Sequence, residues 1–148
     1  IKSNLRYFRT GDEPWQIAFY DLDWAFQTRS NCFFNLIGSE QTAQIAPTIR
    51  WLFGIDDFKE RLLTRYAELT ETTLSDEHVT EKIDEFRALL APEIARERAH
   101  WGGSEKGWNE QVDALRANIA DDYAAHTVRN LCDALGVGEE ERMEYFGF

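Results

Sequence analysis

The sequence has no apolar run near the ~20 residues that a membrane-spanning helix needs, so no segment reads as a span. Cysteine is scarce. Cys32 and Cys132 are the only two, too few for a disulfide framework or a zinc site. Two small semi-buried thiols are expected, with a single bridge between them left open. Positive charge is short as well: 16 Lys and Arg stand against 27 Asp and Glu, for a formal net charge of -11. Phosphate backbones and anionic membrane surfaces repel such a chain, which sets nucleic-acid binding aside. The acidity suits metal ions or a basic protein partner, although solvated acidic helix faces are its commoner cause. Glycine never gathers into a phosphate-binding pattern; Gly102, Gly103 and Gly107 read as a break between helices. Ser104, beside them, lacks the strand–turn–helix setting of a nucleophile elbow. His78, His100 and His126 share no metal-ligand spacing and read as solvated or core-edge residues. There is no initiating methionine either. Ile1 leads straight into a β-prone run, so a fragment of a longer product is expected, with any leader out of view.

What is present fits one globular domain over residues 1–148. The chain is 43% hydrophobic and 14% aromatic, with five Trp and ten Phe, enough apolar surface for a sizeable core. Residues 4–9 and 15–20 are β-prone runs, and the five residues between them carry the Gly11, Asp12 and Pro14 of a turn. A hairpin over residues 1–24 follows. Residues 21–47 are irregular, with Phe33, Phe34, Leu36 and Ile37 expected to dock on the core.

From Thr48 the hydrophobic period becomes helical. Ile49, Leu52 and Phe53 suit a short helix ended by Gly54. Phe58, Leu62, Tyr66 and Leu69 predict an amphipathic helix over residues 57–73. Ser75 or Asp76 can cap the next one, with Val79, Ile83, Phe86 and Leu90 as its core face. Pro92 then starts a further segment, or kinks this one, before Trp101. Trp108, Val112, Leu115, Ile119, Tyr123 and Leu131 predict one long helix that Gly136 terminates. Trp51, Trp101 and Trp108 read as packing anchors at helix ends, and Arg96 and Arg98 as partners of Glu93 or Glu97. The bundle spans residues 48–136, and residues 137–148 form a tail. The expected fold class is α+β, mainly α, with the hairpin packed on four or five helices.

One stretch reads as chemistry. Asp21 and Asp23 stand two apart at the end of the apolar, aromatic-rich run Trp15, Ile17, Phe19 and Tyr20. If the strand continues through them, both carboxylates leave one face. Two such charges repel, and a divalent cation is the usual remedy. A strand end whose carboxylates cap the next turn is the alternative on spacing alone. For Asn4 the alternative is an ordinary turn residue.

Residues 15–26, read as W-x-I-A-F-Y-D-L-D-W-A-F, resemble the signature of the CotH kinase family, the spore-coat-type atypical kinases. Residues 4–9 resemble the strand before it, and Phe58, Arg61, Leu62, Leu63, Arg65 and Tyr66 resemble a helix that follows the active site. Pro92, Glu93, Ile94, Arg96 and Trp101 resemble a later helix and turn. The resemblance implies the larger lobe of a kinase-like fold and transfer of phosphate from ATP to a protein side chain. It makes Asp21 the Mg²⁺- or Mn²⁺-binding aspartate, Asp23 a second ligand or support, and Asn4 a further contact to metal and nucleotide. The catalytic aspartate and the ATP-gripping lobe would lie upstream of Ile1, so these residues alone should not catalyse transfer. Gln27 departs from the Gly that the family often carries there. Location stays open among spore coat, cell surface and secretion. A metal-dependent glycosyltransferase with an Asp-x-Asp site and a non-catalytic acidic interaction module are the rival readings.

Overall fold

A computed structural model describes residues 5–19, 26, 33, 37–38 and 46–148. Among them two short strands, β1 (Leu5–Phe8) and β2 (Gln16–Phe19), pair antiparallel with Leu5 opposite Phe19 and Phe8 opposite Gln16. The connection is residues 9–15, longer than the expected five because both strands are only four residues long. Glu13 N–H donates to the Thr10 carbonyl at 3.1 Å, and Gly11 takes φ 57°. The Arg9 guanidinium lies 5.4 Å from the Trp15 ring centroid, a weak cation–π contact at an exposed site. Tyr7, Phe8 and Trp15 are all exposed, so none of these three seats the hairpin on the helices.

Six helices follow. They are α1 (Ala46–Phe53), α2 (Asp56–Glu71), α3 (Asp76–Trp101), α4 (Glu105–Ala120), α5 (Tyr123–Leu135) and α6 (Glu139–Phe146). The ends follow the local chemistry. Ser75 Oγ accepts from His78 N–H at 3.2 Å and Ser104 Oγ from Gly107 N–H at 3.0 Å, each satisfying one orphan donor of a first turn. Asp56 and Asp57 open α2, and Glu139, Glu140 and Glu141 open α6, where negative charge complements the helix dipole. Gly136 closes α5 in the left-handed region at φ 69°, which costs a residue without a Cβ little.

Two boundaries differ from expectation. Of the two expectations at Pro92, a new segment does not hold: α3 runs 26 residues through it. The ring sits on the exposed side, and the flanking Ala88, Leu89, Leu90, Ala91 and Glu93 are strong helix formers that carry the helix past one lost hydrogen bond. Conversely, the long helix expected from Trp108 to Leu131 breaks at Asp121 and Asp122. Asp122 takes φ 58° and ψ 41°, a left-handed conformation that Asp tolerates better than most residues. The tail is a third difference, because residues 139–146 form α6 and bring Tyr145 and Phe146 back onto the core.

The main core lies where α2 meets α5 and α6. Leu63, Val128, Leu131, Cys132 and Leu135 are buried together, with Phe53, Leu62 and Tyr66 packed around them. Each such aliphatic side chain contributes about 1.5–3 kcal/mol by leaving water. The second unit is the α3–α4 pair. Its seam runs through Ile83, Arg87 and Ile94, not through Phe86 and Leu90, which stand 60% and 47% exposed. Arg87 donates to Asp113 and to Asn109, both at 2.6 Å, and Arg116 Nε lies 3.0 Å from both Asp84 carboxylate oxygens. At this exposure such pairs contribute little energy; they set how the two helices slide against each other. Trp51 and Trp101 are 66% and 76% exposed and so are not the packing anchors expected. Arg96 pairs with Glu93 three residues before it, and Arg98 Nε lies 3.0 Å from the adjacent Glu97, the two partners expected.

Candidate functional site

β2 ends at Phe19, and the carboxylate pair follows it in the chain. Asn4, Asp21 and Asp23 lie outside the described residues, as do Trp24, Gln27 and Cys32. Among the described residues no group of three or more His, Cys, Asp or Glu side chains gathers as a metal site.

Phe26, the last residue of the aromatic and carboxylate stretch, is described, and it is held from far along the chain. Asn118, near the end of α4, donates Nδ2–H to the Phe26 carbonyl at 2.6 Å. Tyr123, at the start of α5, meets the Phe26 ring edge-on with centroids 5.7 Å apart. Phe26 itself takes φ 62°. A bulky L-residue pays about 1–2 kcal/mol for that region, so it persists only where its surroundings fix it.

Those surroundings are the α4–α5 corner. The left-handed Asp122 turns the chain there, and Arg129 Nη2 lies 3.1 Å from its carboxylate. Asp122 makes no cap bond with its side chain. Instead Asp76, from the first turn of α3, accepts the Ala124 N–H at 2.8 Å. One carboxylate thus serves two helix starts, sitting in the first turn of α3 while capping α5. The corner is therefore braced by α3, α4 and α5 together, and Phe26 rests against it.

Two further described points hold the chain beyond Phe26. Phe33 packs on the core and meets Tyr66 edge-on at 6.3 Å, and Tyr66 meets Phe146 at 6.5 Å. Arg50 Nη1 donates to the Ile37 carbonyl at 2.6 Å. Docking of Phe33 is as expected from its sequence, and Ile37 is half-buried.

The perturbed groups lie elsewhere. Burial pushes the Cys132 thiol above its ordinary value, with Asp133 and Glu141 adding to the rise and Arg142 opposing it. Cys132 is a free, buried thiol. Tyr145 is also raised, first by burial and then by Glu60, Glu141 and Glu144. It borders a shallow cleft of about 270 Å³ with Asp56, Lys59, Glu60 and Glu141. The phenol is therefore a neutral hydrogen-bonding group there and not a base at neutral pH.

Sequence reasoning missed Asn118 and Tyr123. The available signal was the Asp121-Asp122 pair, poor helix formers set inside a helical period. It marks a corner, and residues flanking a corner are placed to hold another segment.

A family model described as CotH kinase protein matches residues 1–124. The match runs from the hairpin through the carboxylate stretch and α1–α4 to the start of α5. No curated protein and no solved structure matches the chain.

Proposed function

The chain belongs to the CotH kinase family, and we propose that it forms the carboxy-terminal, helical part of a kinase-like phosphotransferase. The reaction is transfer of phosphate from ATP to a protein side chain. Asp21 binds Mg²⁺ or Mn²⁺, Asp23 is a second ligand or support, and Asn4 contributes an amide oxygen. The donor set fits the cation, since two carboxylates and an amide are the hard oxygen ligands that Mg²⁺ prefers. Bound there, the cation would offset charge on the phosphate oxygens. The chain's own part is to hold the two carboxylates together and to present them at the end of β2. The helices then correspond to the larger lobe of a kinase-like fold, and the nucleotide-gripping lobe and catalytic aspartate belong to the longer protein. The supporting observation is that the family match spans the whole Trp15 to Phe26 motif.

The test is transfer of labelled phosphate from ATP by the full-length protein, wild type against Asp21→Ala, with Mg²⁺ or Mn²⁺. Transfer that needs Asp21, in a variant that still folds, is the expected result. A folded wild type that neither transfers phosphate nor binds the metal–nucleotide sinks the reading. A second reading, a non-catalytic module for a basic partner, draws support from the exposed Phe86, Leu89 and Leu90 on acidic α3. Partner binding retained while metal leaves the melting temperature unmoved would favour that account.

A further inference from the structure

α4 covers one side of α3, along Ile83, Arg87 and Ile94. Another stripe of the same helix, Lys82, Phe86, Leu89 and Glu93, lies roughly 110° away around the axis at 3.6 residues per turn. All four residues are exposed, Leu89 to 70%, and Leu90 beside them is exposed too. Their steps of four, three and four residues are those by which one helix seats on another. A contiguous apolar patch with charged residues at its ends marks a contact surface, where a lone exposed Leu would not.

The charges at the two ends of the stripe select what can cover it. Lys82 stands one turn before Phe86, and Glu93 one turn after Leu89. Each has its counter-charge on α3 itself: Lys82 Nζ lies 2.6 Å from Glu85, and the Glu93 carboxylate 2.5 Å from Arg96. Exposed pairs of this kind contribute little and exchange readily. A uniformly basic partner would meet Lys82 at one end and Arg96 at the other. A second α3 laid antiparallel meets no such conflict. With Phe86 against Leu89 of the partner subunit, the equal steps of four place Lys82 opposite Glu93 of the partner subunit. Two-fold symmetry repeats both contacts.

We propose that this face of α3 is a self-association surface, occupied by a second copy of the chain in an antiparallel helix pair. The argument is independent of Asp21 and of the phosphotransfer reading. One helix pair makes an interface at the small end of the specific range, roughly 1,200 Å² in total, so the dimer is concentration-dependent. The net charge of -11 opposes association at long range, and physiological salt screens most of that beyond about 8 Å.

The experiment is sedimentation equilibrium of the full-length protein at physiological salt, from low micromolar to several hundred micromolar. The wild type should dimerise within that range. Leu89→Glu alters the centre of the patch at an exposed position and should leave a monomer that melts like the wild-type monomer. Lys82→Glu and Glu93→Lys each set like charges opposite one another, and each should weaken dimerisation by about tenfold or more. Mixed in equal amounts, these two variants regain opposite charges at both ends and should form a heterodimer of about wild-type affinity. A wild type that stays monomeric throughout overturns the proposal, whether another part of the longer protein covers the face or a Lys-rich helical peptide binds there instead. A dimer indifferent to Leu89→Glu and to both charge variants associates elsewhere and also overturns it. Loss of the dimer in all three variants, with no recovery on mixing, overturns the antiparallel pairing.

Discussion

Replacing Leu63 and Phe86 by Ala, one at a time, separates two ways of reading the helical faces. Hydrophobic spacing alone puts Phe86 on a core face, and size alone makes its loss the more costly. The structure reverses the order. Leu63 is 1% exposed and lies among Val128, Leu131, Cys132 and Leu135. Truncating it removes three buried carbons and leaves a cavity between α2 and α5 that two packed helices cannot readily close. The cost should be about 3 kcal/mol, within the usual 2–5 for a buried Leu→Ala. Phe86 is 60% exposed, so most of its ring is already in water in the folded state. Its truncation loses part of a transfer term, and Ala recovers some helix propensity, for a net cost of about 1 kcal/mol or less. Urea unfolding at constant m-value reads the difference directly. In a thermal melt the Leu63 variant should fall by about 6–12 °C, at about 2–4 °C per kcal/mol for this size. Equal losses for the two variants would refute the assignment of the core.

Asp76→Ala should cost about 1 kcal/mol by uncapping Ala124, with Asp76→Asn milder, and hydrogen exchange should show the Ala124 amide losing protection. Pro92→Ala restores a donor within α3 on its exposed side and should stabilise the protein by about 1–3 kcal/mol; a loss of stability would refute the view that the ring only weakens the helix. Stability should also fall as pH rises above about 9. The folded Cys132 thiol holds its proton beyond its ordinary 9.0 while the unfolded one releases it, so the unfolded state binds fewer protons there and gains on the folded state. Tyr145 adds in the same direction above 10.0. Urea midpoints from pH 7 to 10 should drop less in Cys132→Ala than in wild type.

Local signals in the sequence located most helices because each cap and stop is written within a few residues. Ser75 and Gly136 act where their types lead one to expect, while the cap at Ser104 emerges from the structure. The face of α2 that carries Leu62 and Tyr66 was legible for the same reason, since one helix offers one apolar stripe. The face of α3 was not. Its apolar residues are spread over two stripes, and only the partner α4, through Arg87 with Asp113 and Asp84 with Arg116, selects the one that is buried. The corner at Asp122 was hidden by a hydrophobic period that continues through it, from Ile119 to Tyr123. At the candidate site the motif named Asp21, Asp23 and Asn4, all outside the described residues. The hold on Phe26 by Asn118 is a contact of two segments 92 residues apart, which no local pattern encodes.

The core described above has a consequence for where this molecule can be divided. The family match stops at residue 124, yet Val128, Leu131, Cys132 and Leu135, the partners that bury Leu63, all come later. Recurrence within a family and cooperative folding therefore have different limits here. A chain cut after residue 124 would keep every residue of the motif while exposing the inner face of α2 to water. Such a truncation would aggregate or be degraded, and its silence in an assay would say nothing about the chemistry of the carboxylate pair.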